Sequence, residues 1–222
     1  MKRTPEPELM NGTEQAEAYA AADFSEPHNM FVELFKEAFP GFALGTVVDL
    51  GCGPADISIR ISQAFPLCTV HAVDGAPNML VLAQKRIEEL SLPERITLIN
   101  GMLPEVNTPL EKYNAVISNS LLHHLHDPHV LWTCIKQYGK TGSCVFVMDL
   151  LRPESEAAAR EFVEKYTGEE PPILKEDFYN SLLAAYTLEE VGGQLARAGL
   201  SNLVIEQASD RHFVVKGIIK DP

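Results

Sequence analysis

Short, mostly apolar segments alternate with longer segments of helical periodicity from Gly45 to Leu150. This alternation limits the possible folds more than any other feature of the chain. Runs such as 46–50 and 144–150 have the length and the apolar content of strands that are buried on both faces of a sheet. Segments between such runs, for example 77–90, have the apolar spacing of helices. The pattern predicts a doubly wound α/β fold with a mostly parallel sheet.

Helical segments also lie outside this alternation and predict a cap. Residues 1–40 predict a loose polar tail followed by two helices, with a break between the helices around Ser25-Glu26-Pro27. A helical insertion is predicted at about 153–186. We expect both parts to cover one edge of a main domain that extends over residues 41–222.

The chain ends in two predicted strands, 202–207 and 212–219. Because only a few residues separate them, we expect them to pair antiparallel. Together with the earlier strands they predict a seven-stranded, mostly parallel, Rossmann-like sheet with an antiparallel C-terminal strand.

The charge balance limits the classes of partner. The net charge is −13 and the sequence has no cluster of lysine or arginine, which argues against nucleic acid and anionic membranes. The sequence contains no run of 18 apolar residues, so no membrane span is predicted. The cysteines form no CxxC pair, so neither a disulfide framework nor a thiolate zinc site is predicted. We expect a cytoplasmic protein that acts on a small molecule, neutral or cationic.

A glycine-rich turn, Asp49-Leu50-Gly51-Cys52-Gly53-Pro54-Ala55, follows the first strand. A strand, a glycine turn and a helix form a general nucleotide site, because the glycines allow close approach of a ligand to the backbone. Dinucleotide binding requires G-x-G-x-x-G, and Asp56 stands at the third glycine position. A carboxylate there would crowd and repel a pyrophosphate, so the pattern argues against NAD.

The pattern Asp49-x-Gly51-x-Gly53 resembles that of the class I S-adenosylmethionine-dependent methyltransferases, and the similarity covers about residues 45–150. The resemblance implies S-adenosylmethionine as the cofactor, with the turn against its amino-acid end and Asp49 beside its ammonium group. This cofactor carries no phosphate, so Asp56 is compatible with it. Ala55 departs mildly from the small residue, usually glycine, that the family often has at its position.

Further cofactor residues are predicted in the turns after the other strands. Asp74 lies 21 residues after Gly53, where a carboxylate can accept bonds from both ribose hydroxyls; the alternative is a helix cap before Pro77. The resemblance implies Met79 against adenine, and it leaves Met102 where the family commonly has an acid. The full predicted set is Asp49, Gly51, Cys52, Gly53, Asp74, Gly75, Ala76, Met79, Gly101, Met102, Ser118 and Asn119.

Four histidines lie within seven residues after the fourth strand: His123, His124, His126 and His129. Imidazole is a common metal ligand, but Pro128 prevents all four rings from sharing one helix face, and the similar family pattern carries no metal. We therefore expect no metal. Either His123 or His124 is a candidate catalytic base, because open α/β sheets bind ligands at this edge. The alternative is that they cap the next helix or line the cofactor pocket.

Contacts to the methyl acceptor are expected from the cap and from the end of the fifth strand. The cap segments are placed to fold over the strand ends as a lid. The alternative for their aromatic residues is a small satellite core. The candidate residues are Tyr19, Asn29, Asp149, Arg152, Tyr179 and Asn180.

The sequence thus predicts an enzyme that transfers the methyl group of S-adenosylmethionine to a small neutral or cationic acceptor by direct in-line attack. Catalysis of this reaction is largely alignment of the reacting atoms. One alternative is a protein that binds S-adenosylmethionine as a sensor without catalysis. A nucleotide-sugar or NAD enzyme is disfavoured by Asp56.

Overall fold

A single seven-stranded sheet with helices on both faces forms the centre of the protein. The structure is a computed structural model and describes residues 1–7 and 12–220. The strands are β1 (Leu44–Leu50), β2 (Leu67–Asp74), β3 (Ile96–Asn100), β4 (Tyr113–Asn119), β5 (Gly139–Leu150), β6 (Val204–Gln207) and β7 (His212–Ile218). The helices are α1 (Thr13–Ala21), α2 (Ser25–Ala38), α3 (Asp56–Ala64), α4 (Pro77–Glu89), α5 (His129–Tyr138), α6 (Glu156–Thr167), α7 (Pro172–Ala184) and α8 (Leu188–Ala198).

The strands are ordered β3-β2-β1-β4-β5-β7-β6. Strands β1 to β5 run parallel, and β7 runs antiparallel to β5 and β6. This confirms the predicted mostly parallel sheet with an antiparallel C-terminal strand. Strands β2 and β3 lie on one side of β1, and β4 and β5 lie on the other, so the direction of strand addition reverses between β1 and β4. Ligands of open α/β sheets bind outside the carboxyl ends of the strands at such a switch point.

Aromatic side chains join α2 to one face of the sheet. Phe35 is fully buried, and its ring lies 5.0 to 5.7 Å from the rings of Phe39, Phe42, Phe65 and Phe146. These pairs are edge-to-face, an arrangement that adds to the free energy gained from burial. Phe146 belongs to β5, so α2 is anchored directly on the sheet.

The break between the first two helices lies at residues 22–24, before Ser25-Glu26-Pro27 rather than around it. Pro27 stands in the first turn of α2, where a proline is tolerated because the N–H that it lacks would have no partner within the helix. No helix in the described part of the chain is long and apolar enough to cross a membrane.

Residues 1–7, expected to be a loose tail, are bound to the rest of the protein. The N–H of Thr4 donates to the carbonyl of Leu183 at 3.0 Å. The guanidinium of Arg3 lies 4.2 Å from the centre of the Tyr186 ring. The other residues of the expected tail include 8–11, which lie outside the described residues.

Replacing Phe35 tests how α2 is anchored. We expect Phe35→Ala to lower the free energy of unfolding by about 3–5 kcal/mol, because a large cavity would open between α2 and the sheet. Urea denaturation followed by circular dichroism measures the change. Val81→Ala on the exposed face of α4 is the control, with an expected change below about 0.5 kcal/mol. Equal effects of the two substitutions would contradict this packing.

Candidate functional site

Two adjoining cavities open at the carboxyl ends of the strands. The first, which we call the main cleft, lies over the ends of β1, β2 and β4 and is lined in part by residues 51–54, 73–76 and 101–103. The second, the cap pocket, lies between the ends of β4 and β5 and the helices α6 and α7. The residues that line both cavities are Tyr19, Ala22, Asp23, Phe24, Ser25, His28, Asn119, Ser120 and His124.

The glycine turn after β1 forms one wall of the main cleft. The N–H groups of Gly51 and Cys52 both donate to the carbonyl of Val73 at 2.9 Å, which fixes the turn to the end of β2. Gly51 has φ of 75°, and a Cβ there would lie 2.7 Å from Leu121. Gly53 has φ of 52°, and a Cβ would meet no atom within 4 Å in the described structure. The turn therefore requires glycine for its backbone and leaves open space beside Gly53 for a ligand.

Asp49 is buried at the floor of the main cleft. Its Oδ2 accepts a hydrogen bond from Ser58 Oγ at 2.6 Å. Burial raises the pKa of Asp49 to about 7, although the hydrogen bond from Ser58 opposes the shift. A cation in the cleft would stabilise the ionised carboxylate. Asp49 therefore complements a positively charged ligand group.

Asp74 joins the turns that follow β1 and β2. Its two carboxylate oxygens accept from the N–H of Gly53 at 2.8 Å and from the N–H of Ala76 at 2.7 Å. Burial raises its pKa, and these two bonds oppose the shift. Each carboxylate oxygen has a second lone pair. Asp74 thus helps to hold the start of α4, as the cap interpretation expected, and keeps acceptor capacity toward the cleft.

Asp56 does not present a free negative charge, in contrast to the sequence argument. It accepts from His28 Nδ1 and Arg60 Nε, both at 2.6 Å, and its other oxygen lies 2.9 Å from the guanidinium of Arg86. Burial opposes its ionisation, but the bonds from His28 and Arg60 hold its pKa well below the usual range. Two arginines neutralise Asp56, so charge repulsion by Asp56 does not explain selection against a pyrophosphate.

Among the predicted cofactor residues, all but Ser118 line the main cleft. Ser118 is buried, and its hydroxyl donates to the carbonyl of Leu50 at 2.8 Å, so its side chain joins β4 to β1. Met79 is 3% exposed within the wall, whereas the side chain of Met102 is 47% exposed at the rim. Asn100 donates to the carbonyl of Asp74 at 3.1 Å rather than facing the cleft.

The two candidate catalytic histidines differ in their surroundings. His123 Nδ1 lies 2.5 Å from Asp149 Oδ1, and Asp149 also accepts from the N–H groups of Leu122 and Leu150 at 2.7 Å. Burial opposes protonation of His123, but the charge of Asp149 raises its pKa. Burial, together with the charge of His123, lowers the pKa of His124 to about 3. His124 is therefore the neutral ring of the pair.

Both histidines reach a cavity, but most of the predicted acceptor residues do not. His123 lines the cap pocket, His124 lines both cavities, and Tyr19 is the predicted acceptor residue that lines them too. Asp149 lies behind His123.

Four further acceptor candidates have other partners or positions. Asn29 accepts from Arg60, Arg152 pairs with Glu190 at 2.8 Å, and Tyr179 lies 4.6 Å below the guanidinium of Arg160. Asn180 lines neither cavity. Their roles as acceptor contacts stay predictions, and the structure places none of these four side chains in the wall of either cavity.

Several residues at the site carried no signal in the sequence. Glu6 reaches the histidine pair, and Ser181 donates to Glu6 at 3.0 Å. Asp177 faces the cap pocket with both carboxylate oxygens 2.9 Å from the Gln15 amide. Arg211, at the start of the last hairpin strand, lines the cap pocket. All of these residues are distant in sequence from the turns to which the motifs pointed.

Comparisons with known proteins agree with the fold. Residues 47–142 match a family model described as a methyltransferase domain. The chain is 40% identical over 73 residues to a release factor glutamine methyltransferase from Gloeobacter violaceus, covering 33% of this chain and 25% of that protein. It is 26% identical over 137 residues to a malonyl-acyl-carrier-protein O-methyltransferase from Priestia megaterium, covering 61% of this chain and 47% of that protein.

The chain thus spans between a quarter and about half of the length of these two relatives. A crystal structure of a SAM-dependent methyltransferase from Aquifex aeolicus has the same fold, with a TM-score of 0.67 and 18% identity over 92% of this chain and 98% of that one. Residues 47–142 are thus a methyltransferase domain by the family model, and the chain has the fold of an S-adenosylmethionine-dependent methyltransferase.

Proposed function

We propose that this protein transfers the methyl group of S-adenosylmethionine to a small neutral or cationic acceptor by direct in-line attack. The observation that carries the proposal is the junction of the two cavities, where Tyr19, Asn119 and His124 belong to both walls. A cofactor in the main cleft and an acceptor in the cap pocket would meet there. Such alignment is the main requirement of methyl transfer.

The main cleft offers groups that match the parts of this cofactor. S-adenosylmethionine supplies a methyl group that is already activated by a positively charged sulfur. Asp74 has free acceptor lone pairs for the ribose hydroxyls, and Met79 provides an apolar surface for adenine. Asp49 is a buried carboxylate suited to the ammonium group. The open space beside Gly53 supports a ligand that touches the turn.

The histidine pair supplies the polar groups that would act on the acceptor. We assign His123 and His124 to contact with the reacting atom of the acceptor, because both line the cap pocket and one of them also lines the main cleft. Asp149 acts as a positioning residue, since its hydrogen bond fixes the orientation of the His123 ring. Tyr19 remains the proposed acceptor contact from the cap.

Replacing Asp74 tests the cofactor assignment. We expect Asp74→Ala to weaken binding of S-adenosylmethionine and S-adenosylhomocysteine by about 1–3 kcal/mol, the scale for losing hydrogen bonds to a charged group. Isothermal titration calorimetry measures the affinities. Glu88→Ala on the exposed side of α4 is the matched control and leaves them unchanged. Binding of NAD without binding of either methionine-derived ligand would overturn the assignment.

The raised pKa of Asp49 predicts a pH dependence of cofactor affinity. Below its pKa of about 7 the carboxyl is increasingly neutral, so binding of a cationic ammonium group must expel a proton. Affinity for S-adenosylhomocysteine therefore rises with pH up to about 8, by at most about tenfold per pH unit below the pKa. Adenosine, which lacks the ammonium group, is the control ligand. The same pH dependence in Asp49→Asn would contradict the role of Asp49.

Turnover separates an enzyme from a sensor that binds the same cofactor. Release of S-adenosylhomocysteine is measured with panels of amines, phenols, alcohols, thiols and carboxylic acids. We expect turnover with a neutral or cationic class, and its loss in a variant with Tyr19→Ala when the acceptor is not saturating. Silence across all panels, with intact cofactor binding, would favour the sensor.

A further inference from the structure

Glu6 and two adjacent histidines meet at the wall of the cap pocket. Glu6 Oε1 lies 3.5 Å from His123 Nε2 and 3.3 Å from His124 Nδ1. The ligand atoms of the three residues all lie within 4.8 Å of one another. All three side chains are largely buried. The fold therefore brings one carboxylate and two imidazoles to a common point, although Glu6 comes from the N-terminal segment and the histidines follow β4.

The hydrogen bonds around this point leave lone pairs directed toward it. His123 Nδ1 faces Asp149, and because a carboxylate only accepts, Nδ1 carries a hydrogen in either protonation state. Loss of the proton from Nε2, which a bound metal ion would displace, leaves a lone pair there. His124 Nδ1 is buried and has no hydrogen-bond partner among the described residues. Glu6 Oε1 already accepts from Ser181 Oγ at 3.0 Å. Buried carboxylates of this kind need a positive charge beside them, which either a protonated His123 or a bound metal ion supplies.

The basic side chain closest in sequence to Glu6 is directed elsewhere. The guanidinium of Arg3 donates to the carbonyls of Ala184, His123 and Leu125. Within residues 1–7 and 12–220, the ion pairs of Glu6 are with His123 and His124 and include no lysine or arginine.

A divalent metal ion fits the distances at this point. Bonds of about 2.0–2.2 Å in a tetrahedral site place neighbouring ligand atoms about 3.3–3.5 Å apart. The two separations from Glu6 Oε1 are 3.5 and 3.3 Å. An ammonium group would need wider separations, because each of its hydrogen bonds is about 2.7–3.2 Å long. These two separations favour a small metal ion over a hydrogen-bonded organic cation, and the third, between the two imidazole nitrogens, is within 4.8 Å.

The surroundings of His123 are those of a metal ligand. A histidine that binds a metal usually donates its other N–H to a carboxylate or a carbonyl, which fixes the tautomer and the ring. Asp149 accepts that bond from His123, and two backbone N–H groups hold Asp149 in turn. Ser181 orients Glu6 in the same way.

We propose that Glu6, His123 and His124 bind one divalent transition-metal ion, Zn²⁺ by ligand type, with its fourth coordination position at the cap pocket. Three protein ligands and one open position are the arrangement of catalytic zinc sites rather than structural ones. Pro128 keeps four rings from sharing one helix face, but this site uses only two rings, which precede α5, together with a carboxylate that is distant in sequence.

The site also narrows the acceptor class, and this part rests on the proposed function. His123 and Ser181 line the cap pocket, and His124 lines both cavities. With an ion bound, the two rings act on the acceptor through the metal and not by direct contact. A ligand at the open position would lie beside the junction where the methyl group is transferred. Zn²⁺ binds nitrogen, oxygen and sulfur ligands, but a bound hydroxyl or thiol that loses its proton keeps a lone pair for attack, whereas a bound amine does not. The acceptor class is therefore a neutral hydroxyl or thiol compound.

Metal titration of the full chain tests the site without any turnover. Protein treated with a chelator is titrated with Zn²⁺ by calorimetry, and with Co²⁺ to observe the visible absorption of a tetrahedral site. We expect one ion per chain. Glu6→Gln and His124→Ala lose a ligand and weaken binding by about 100-fold or more, and Asp149→Asn weakens it by about 10–100-fold. His129→Ala is the control, because His129 belongs to the same histidine-rich segment but contacts Arg197 instead.

The outcomes are distinct. One ion in the wild type and in His129→Ala, with weaker binding in the ligand variants, supports the proposal. The proposal is overturned if no ion binds stoichiometrically, or if the wild type and Glu6→Gln bind the ion equally well. The three residues would then form an ion pair between carboxylates and a protonated His123. Calorimetry with S-adenosylhomocysteine on the same samples separates the two proposals. If the protein binds this ligand but no metal ion, the metal site is contradicted and the proposed methyl transfer is not.

Discussion

The hydrogen bonds between the glycine turn and the end of β2 hold the main cleft together. The carbonyl of Val73 accepts from two consecutive N–H groups of the turn, and Asp74 accepts from a third. Both anchors belong to β2, an interior strand of the sheet. The connection fixes the glycine turn and the start of α4 relative to two adjacent strand ends, and these segments carry Gly53, Asp74 and Met79.

Buried carboxylates at this edge of the sheet have different roles because their partners differ. Asp56 is neutralised by arginines and a histidine and mainly joins α2, α3 and α4. Asp49 has one hydroxyl donor and no cationic partner among the described residues, so it is left to complement a positive ligand. Asp149 is held in its charged form by a histidine. The partners that already neutralise each carboxylate are therefore a better guide to its function than its distance from the cleft.

The sheet and the cofactor turns were predictable from the sequence because their signals are local. Alternation of strands and helices fixes the order of elements, and a carboxylate at the end of a strand, such as Asp74, has its place set by the strand. The direction of a side chain is a further level of detail, as at Ser118, whose hydroxyl is turned toward β1. Glu6 and Asp177 were missed because their positions depend on contacts between distant segments, which no spacing in the sequence encodes.

The contact of the N-terminal segment with the loop after β4 has a consequence for how the protein assembles. Arg3 reaches the carbonyl of His123 across 120 positions of the chain, whereas Gly53 meets Asp74 across 21. Closing a long loop costs more conformational entropy than closing a short one. A contact between distant segments therefore forms only after the structures on both sides of it have folded. We expect the cofactor side of the site to take shape early in folding and the acceptor side to be completed last. The same segment is then the first to detach in local unfolding, so access to the acceptor side is tied to the least stable part of the fold.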